Sequence, residues 1–159
     1  DFRLGGSLLC DALGQNGDNF PEIGDADYFI DCYEVVREFI EDRIAMSAVT
    51  VCDGGLLTAL KLMCSGDVGA EIDISGIKSA YGEGQNVRIL FSEVPGAILQ
   101  IKDSDYDYVD AELLLQDIAY YPAGHPVVGT GEVNVKTCGS GIANILQSLL
   151  GSQASEGED

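Results

Sequence analysis

The stretch Val49–Leu57, VTVCDGGLL, has the residue types of a strand-to-helix corner that could hold an anion. A β-branched run stops at Asp53-Gly54-Gly55, and leucines at helical spacing follow. A helix N-terminus offers unpaired N–H groups and a partial positive charge, and glycines let a phosphate approach the backbone closely. Asp53 could cap that helix, or touch a metal or a polar group of a ligand. The competing reading is a capped bend with no ligand, because short glycine motifs arise often by chance.

Other groups with chemical potential carry competing readings too. Leu4-Gly5-Gly6-Ser7 could form a second pocket of backbone amides, or an ordinary turn. In Phe91–Gly96, Ser92 and Glu93 could aim a hydroxyl and a carboxylate at a ligand, or cap a helix. Asp103-Ser104-Asp105-Tyr106-Asp107 opens like a calcium loop, but its sixth position is Tyr108 and its twelfth Leu114, where Gly and Glu are required. Those acids suit the start of a helix instead. His125, the one histidine, lies between Gly124 and Pro126 without suitably spaced thiols, and reads as a bystander. No serine stands in a nucleophile elbow and no GxxxxGK[ST] loop is present. Pattern alone therefore assigns no catalytic residue and no metal ligand.

The elements that would position these groups alternate between helix and strand. A helix is expected after Asp25 or Asp27, with Phe29, Tyr33, Val36, Ile40 and Ile44 on its buried face. Ala45–Cys52 reads as a strand that is apolar on both faces, hence central. The helix after the corner carries Leu56, Leu60, Met63 and Cys64, with Gly66 as its stop. Gly69–Ser75 alternates as a half-buried strand, and Gly76–Gln85 reads as a loop. Val87–Glu93 suits either state, and Ala97–Lys102 is a strand. Asp105–Gln116 is a helix with Val109, Leu113 and Leu114 inward, and short strands are expected at Val127–Val128 and Val133–Val135.

Neighbouring strands without a helix between them predict an α+β fold: a mixed, mostly antiparallel sheet with packed helices. The expected organisation is one domain over residues 1–136, an amphipathic helix over 137–150 and a disordered acidic tail over 151–159.

The chain has 159 residues, with 27 Asp and Glu against 8 Lys and Arg, for a formal charge of −19. Scattered basic residues offer no surface for a nucleic acid backbone, so a nucleic acid partner is excluded. No apolar run approaches the roughly 18 residues of a membrane span, and no membrane partner is expected. The five cysteines are odd in number, none in CxxC spacing, which argues against zinc or a disulfide framework and for a reducing cytoplasm. The chain opens on Asp1 rather than Met, as a piece of a longer protein would.

Three segments, taken in order, resemble one family. FRLGGSLL at Phe2–Leu9, CDGGLLTALKLMCSGDVGAEIDI at Cys52–Ile74 and ILFSEVPGAILQI at Ile89–Ile101 are similar to the last aminoimidazole-ribonucleotide-synthetase-type domain of phosphoribosylformylglycinamidine synthases. The resemblance covers residues 2–102 well, fades to about 131 and is absent from the tail. It implies an α/β/α sandwich, and a role in converting formylglycinamide ribonucleotide, ATP and glutamine-derived ammonia to the amidine. The substrate amide oxygen would be phosphorylated and then displaced by ammonia. ATP and magnesium would sit mainly on a companion N-terminal-type domain, with none on this piece, and a glutaminase domain or subunit would be a partner.

Carried over residue by residue, Asp53, Gly54 and Gly55 match the family's SDGG turn and imply substrate or phosphate contact. Cys52 replaces its serine. Gly5, Gly6 and Ser7 match the LGGS loop, and Ser92 and Glu93 the FSE segment. The His-Asp pair that often precedes the turn is absent: Val49 and Thr50 stand there. That departure keeps open a second reading, a non-catalytic copy holding interdomain geometry. A third, a selenophosphate- or thiamine-phosphate-type kinase of the same superfamily, is opposed by the Phe91–Ile101 segment.

Overall fold

The computed structural model describes residues 2–16 and 19–136. The helix expected over 137–150, the acidic tail and Cys138 lie outside the described residues. The elements run α1 (Leu8–Ala12), α2 (Ala26–Glu41), β1 (Ser47–Val51), α3 (Gly55–Met63), β2 (Val68–Ile72), α4 (Ser75–Tyr81), α5 (Asn86–Phe91) and β3 (Gly96–Gln100). A 3-10 turn at Asp103–Asp105 leads into α6 (Tyr106–Leu115), followed by β4 (Gly124–Val128) and β5 (Val133–Val135).

Strands β1 and β3 pair antiparallel, with Val49 opposite Ile98 and Thr50 opposite Ala97. A second sheet has the order β4-β2-β5, antiparallel to β4 and parallel to β5. The fold is therefore α+β with mixed pairing, as the spacing of strands and helices predicts.

β1 is not central. Among the described residues it pairs only with β3, so the expectation drawn from its two apolar faces is corrected. The reason lies in the packing. Successive side chains of a strand point to opposite faces, and neighbouring residues of β3 meet different cores. Ile98 packs with Leu57 and Leu60 of α3 and with Ile89 and Leu90 of α5. Leu99 packs with Val35 and Phe39 of α2 and with Val109 and Leu113 of α6. On β1 itself Val49 lies on the half-covered face, whereas Ala48 and Thr50 are exposed, so a strand apolar in sequence on both faces is here an edge strand with one of them open.

Helix α2 starts where expected, its Asp25 side chain accepting a hydrogen bond from the Tyr28 N–H at 3.0 Å. Its buried face is not the expected one. Val35 and Phe39 are 1% and 3% exposed, whereas Phe29, Tyr33 and Ile40 lie in solvent. At about 100° per residue, Phe29-Tyr33-Val36-Ile40 and Cys32-Val35-Phe39 form two neighbouring apolar stripes. Periodicity detects both and cannot rank them. Leu99, Ile101 and Ile118 select the second, and Ile44 alone of the expected set joins that core just beyond the helix.

Other expectations are corrected on local grounds. Residues 76–85 are not a loop throughout, because α4 occupies Ser75–Tyr81. The Asp73 carboxylate accepts from the Ser75 N–H at 2.9 Å at its start, and Gly82 adopts a left-handed conformation at its end. Val87–Glu93, open in the sequence, is helical as far as Phe91, as part of α5. Helix α3 stops at Met63 with Cys64 already extended, so Gly66 serves the turn into β2 and not the helix stop. On α6, Val109 and Leu113 face inward as expected, but Leu114 is exposed.

Two predictions test this packing. Val35→Ala should cost about 1–3 kcal/mol in urea denaturation, while Ile40→Ser stays within about 0.5 kcal/mol of the parent. The bond from Ser75 holds the Asp73 carboxyl below its usual range. That contribution is present above the ordinary carboxylate range and is lost as pH falls through the lowered folded value. Acidification should therefore raise amide exchange at Ser75 before the core amides of α3 respond.

Candidate functional site

The three glycine- and acid-containing segments, far apart in sequence, meet in space at the C-terminal end of α5. Helix α5 ends because Ser92 turns extended, with φ −68° and ψ 135°. The three residues at this end, Phe91, Ser92 and Glu93, each touch another of the segments.

Phe91 forms a backbone wall against the corner. Gly54 and Gly55 have φ of 83° and 70°, conformations that side chains other than glycine rarely adopt. A Cβ on Gly55 would stand 2.7 Å from the Phe91 carbonyl carbon and 2.8 Å from the Leu90 oxygen. The second glycine of Asp-Gly-Gly thus answers both a left-handed turn and a close approach of two backbones.

The Ser92 hydroxyl, buried with its residue 2% exposed, donates to the Arg3 carbonyl. Glu93 Oε1 accepts from the Gly54 N–H at 2.8 Å and from the Leu8 N–H at 2.9 Å. Ser92 and Glu93 therefore bracket the Leu4–Ser7 loop, one at its entry and one at its exit. Within the loop, the Ser7 hydroxyl donates to the Leu4 carbonyl at 2.7 Å and accepts from the Cys10 N–H at 3.3 Å, capping α1. Gly5 is buried beneath it, and Gly6 is exposed with the Phe20 ring close to where a Cβ would stand.

The polar groups divide by what they already do. Ser7, Ser92 and one oxygen of Glu93 are engaged inside the protein. The Gly54 N–H is held by Glu93, and the Gly55 N–H donates to the Cys52 carbonyl at 2.8 Å. Asp53 does not cap α3, which begins without a side-chain cap. It is exposed beside Cys52, so carboxylate and thiol flank the N-terminal end of the helix in solvent. Thr50 is also exposed, whereas Val49 belongs to the opposite, half-covered face of β1.

The bridging role of Glu93 has no signature in local spacing, since its two partners lie 85 and 39 residues away. The Arg88 guanidinium adds a further tie, donating to the Phe2 carbonyl at 3.3 Å. Among the described residues no three His, Cys, Asp or Glu side chains converge as metal ligands would. His125 stands on β4 opposite Glu71, outside these segments. A shallow groove of about 290 Å³ lies along Leu113–Tyr121 and shares no residue with them. Gly55→Ala should cost about 2 kcal/mol or more through strain and backbone overlap. Gly14→Ala, with a left-handed φ but open space around it, should cost only about 1 kcal/mol, both read from urea midpoints.

The described residues contain no helix long and apolar enough to cross a membrane. No protein-family profile matches the chain. It is similar to the probable phosphoribosylformylglycinamidine synthase, chloroplastic/mitochondrial, of Arabidopsis thaliana, with 31% identity over 117 residues, 73% of this chain. The phosphoribosylformylglycinamidine synthases of Schizosaccharomyces pombe and Homo sapiens are 32% and 28% identical over 104 residues, 65% of this chain. The matched region spans only 8%, 8% and 7% of the lengths of these three relatives. As a domain-sized segment, therefore, this chain belongs to the phosphoribosylformylglycinamidine synthase family.

Proposed function

We propose that this domain forms one wall of the substrate cleft of a synthase that converts formylglycinamide ribonucleotide, ATP and ammonia from glutamine to the amidine. The observation that carries the reading is the junction at α5: the segments that resemble the family's LGGS, SDGG and FSE motifs are joined by Ser92 and Glu93. A junction of this kind would present Asp53, the outer side of Gly54 and the exposed Gly6 to a ligand as one surface, with Gly5 and Gly55 buried behind them.

Asp53 is the side chain assigned to direct contact, as an acceptor for ribose or amide hydrogens, because a carboxylate cannot itself attract a phosphate. A phosphate would meet the glycine backbone. The Gly54 and Gly55 amides, however, are already held by Glu93 and by the Cys52 carbonyl, so the next first-turn amides of α3, beyond Gly55, would carry that contact. On the family resemblance, ATP and magnesium are assigned to the companion N-terminal-type domain, and ammonia to a glutaminase domain or subunit. The cysteine usage supports a reducing compartment, the cytoplasm, although the Arabidopsis relative is named chloroplastic/mitochondrial.

Val49 and Thr50 favour a second reading, a non-catalytic copy that holds interdomain geometry. Calorimetry on the protein at its natural length separates the two. The substrate reading expects formylglycinamide ribonucleotide to bind, and Asp53→Ala to weaken binding about tenfold with an unchanged melting temperature, as loss of a hydrogen bond to a charged group would. Undiminished affinity and turnover in Asp53→Ala would favour the scaffold. Absence of both substrate binding and substrate-dependent ATP consumption in the parent would reject the synthase reading itself.

A further inference from the structure

We infer that Glu93 is the positioning residue of this site, a carboxylate strut that sets the spacing of the two glycine-containing walls without contacting the ligand. The inference rests on the substrate reading above for its functional part and on the geometry alone for its structural part.

Both amides that Glu93 receives are ones that regular structure leaves without a partner. Leu8 is the first residue of α1 and Gly54 immediately precedes α3, positions whose N–H groups no helical carbonyl can reach. One oxygen, Oε1, serves both, at 2.9 and 2.8 Å. Two walls that share a single acceptor atom cannot move apart without at least one of them losing it. Charge makes the tie stronger, since an ionised acceptor forms hydrogen bonds roughly twice as strong as a neutral one.

The surroundings fix the strut itself. Ser92 is anchored on the Arg3 carbonyl, and Phe91 abuts the backbone of Gly55. The backbone that carries Glu93 is therefore held on both sides before its carboxylate reaches across. A residue placed to bind ligand would keep its oxygens turned to solvent. Glu93 is half-buried, and one oxygen is committed to both loops. Its loss should loosen the cleft walls, and so weaken substrate capture more than the chemical step.

Three variants test this: Glu93→Ala removes the acceptor, Glu93→Gln keeps a neutral one, and Glu93→Asp keeps the charge but shortens the reach. Amide exchange by NMR on the full chain is the structural readout. Relative to the parent, Glu93→Ala should speed exchange at Leu8 and Gly54 by about tenfold or more, with Leu60 and Ile89 unchanged, and Glu93→Gln by only a few-fold. If Glu93→Ala fails to fold, a selective rise at the same two amides in Glu93→Gln or Glu93→Asp carries the test.

Kinetics on the protein at its natural length is the functional readout. The KM for formylglycinamide ribonucleotide should rise about tenfold in Glu93→Ala, with kcat within about threefold and substantial rescue in Glu93→Gln. Unchanged protection of Leu8 and Gly54 would overturn the strut. Selective loss of protection with an unchanged KM, or a fall confined to kcat, would overturn the positioning role. If the parent has no activity with this substrate, the substrate reading fails and the exchange result still decides the strut.

Discussion

The arrangement of this domain depends on a shortage of acceptors at two helix starts. Helices α1 and α3 begin after glycine-containing turns, and each leaves backbone N–H groups that its own carbonyls cannot satisfy. The Glu93 carboxylate meets one such group from each side, and does so with a single oxygen. The path of the chain before α1, the left-handed turn before α3 and the end of α5 are thereby interdependent. Gly55 adds the steric half of that constraint, because the backbone at Phe91 lies where a side chain would be.

Around that junction, the β1–β3 ladder separates two cores and lets each strand residue choose between them. Ile98 and Leu99 are neighbours in sequence and belong to different clusters. The corner follows directly from β1, so its position is set by the pairing of β1 with β3 and by the half-covered face that carries Val49. The surplus apolar stripe on α2 is independent of the site. Its exposed residues lie beside Arg37, which pairs with Glu34 and with Glu41. Such exposed pairs contribute little to stability.

Much of this was legible from residues read in order. Alternation in Glu71-Ile72-Asp73-Ile74 puts both isoleucines inside, and they are 4% and nearly 0% exposed. Asp25 as a cap, α3 after the double glycine, and short strands near Val127 and Val133 follow from turn chemistry and periodicity. What failed did so for identifiable reasons. The two stripes of α2 are equivalent until Leu99 and Ile118 supply a partner, and β1 resembles a central strand because Ala48 is apolar although its face is exposed. The α4 segment, in a glycine-containing stretch, forms a helix with Asp73, two residues before its start, accepting from the Ser75 N–H. Within the site, the glycines were recognisable from type and spacing, but the sharing of Glu93 depends on contacts between segments far apart in the chain.

The junction also gives the family relationship a physical content. Three short motifs are held together by a few hydrogen bonds and one backbone contact at the end of α5, and the proposed ligand surface is the outer face of that assembly. Hydrogen–deuterium exchange of the natural-length protein, with and without formylglycinamide ribonucleotide, tests this most directly. The account predicts new protection confined, within this domain, to peptides covering 2–9, 52–58 and 90–94. Saturating substrate that leaves all three unprotected, or that protects Leu113–Tyr121 instead, would contradict it.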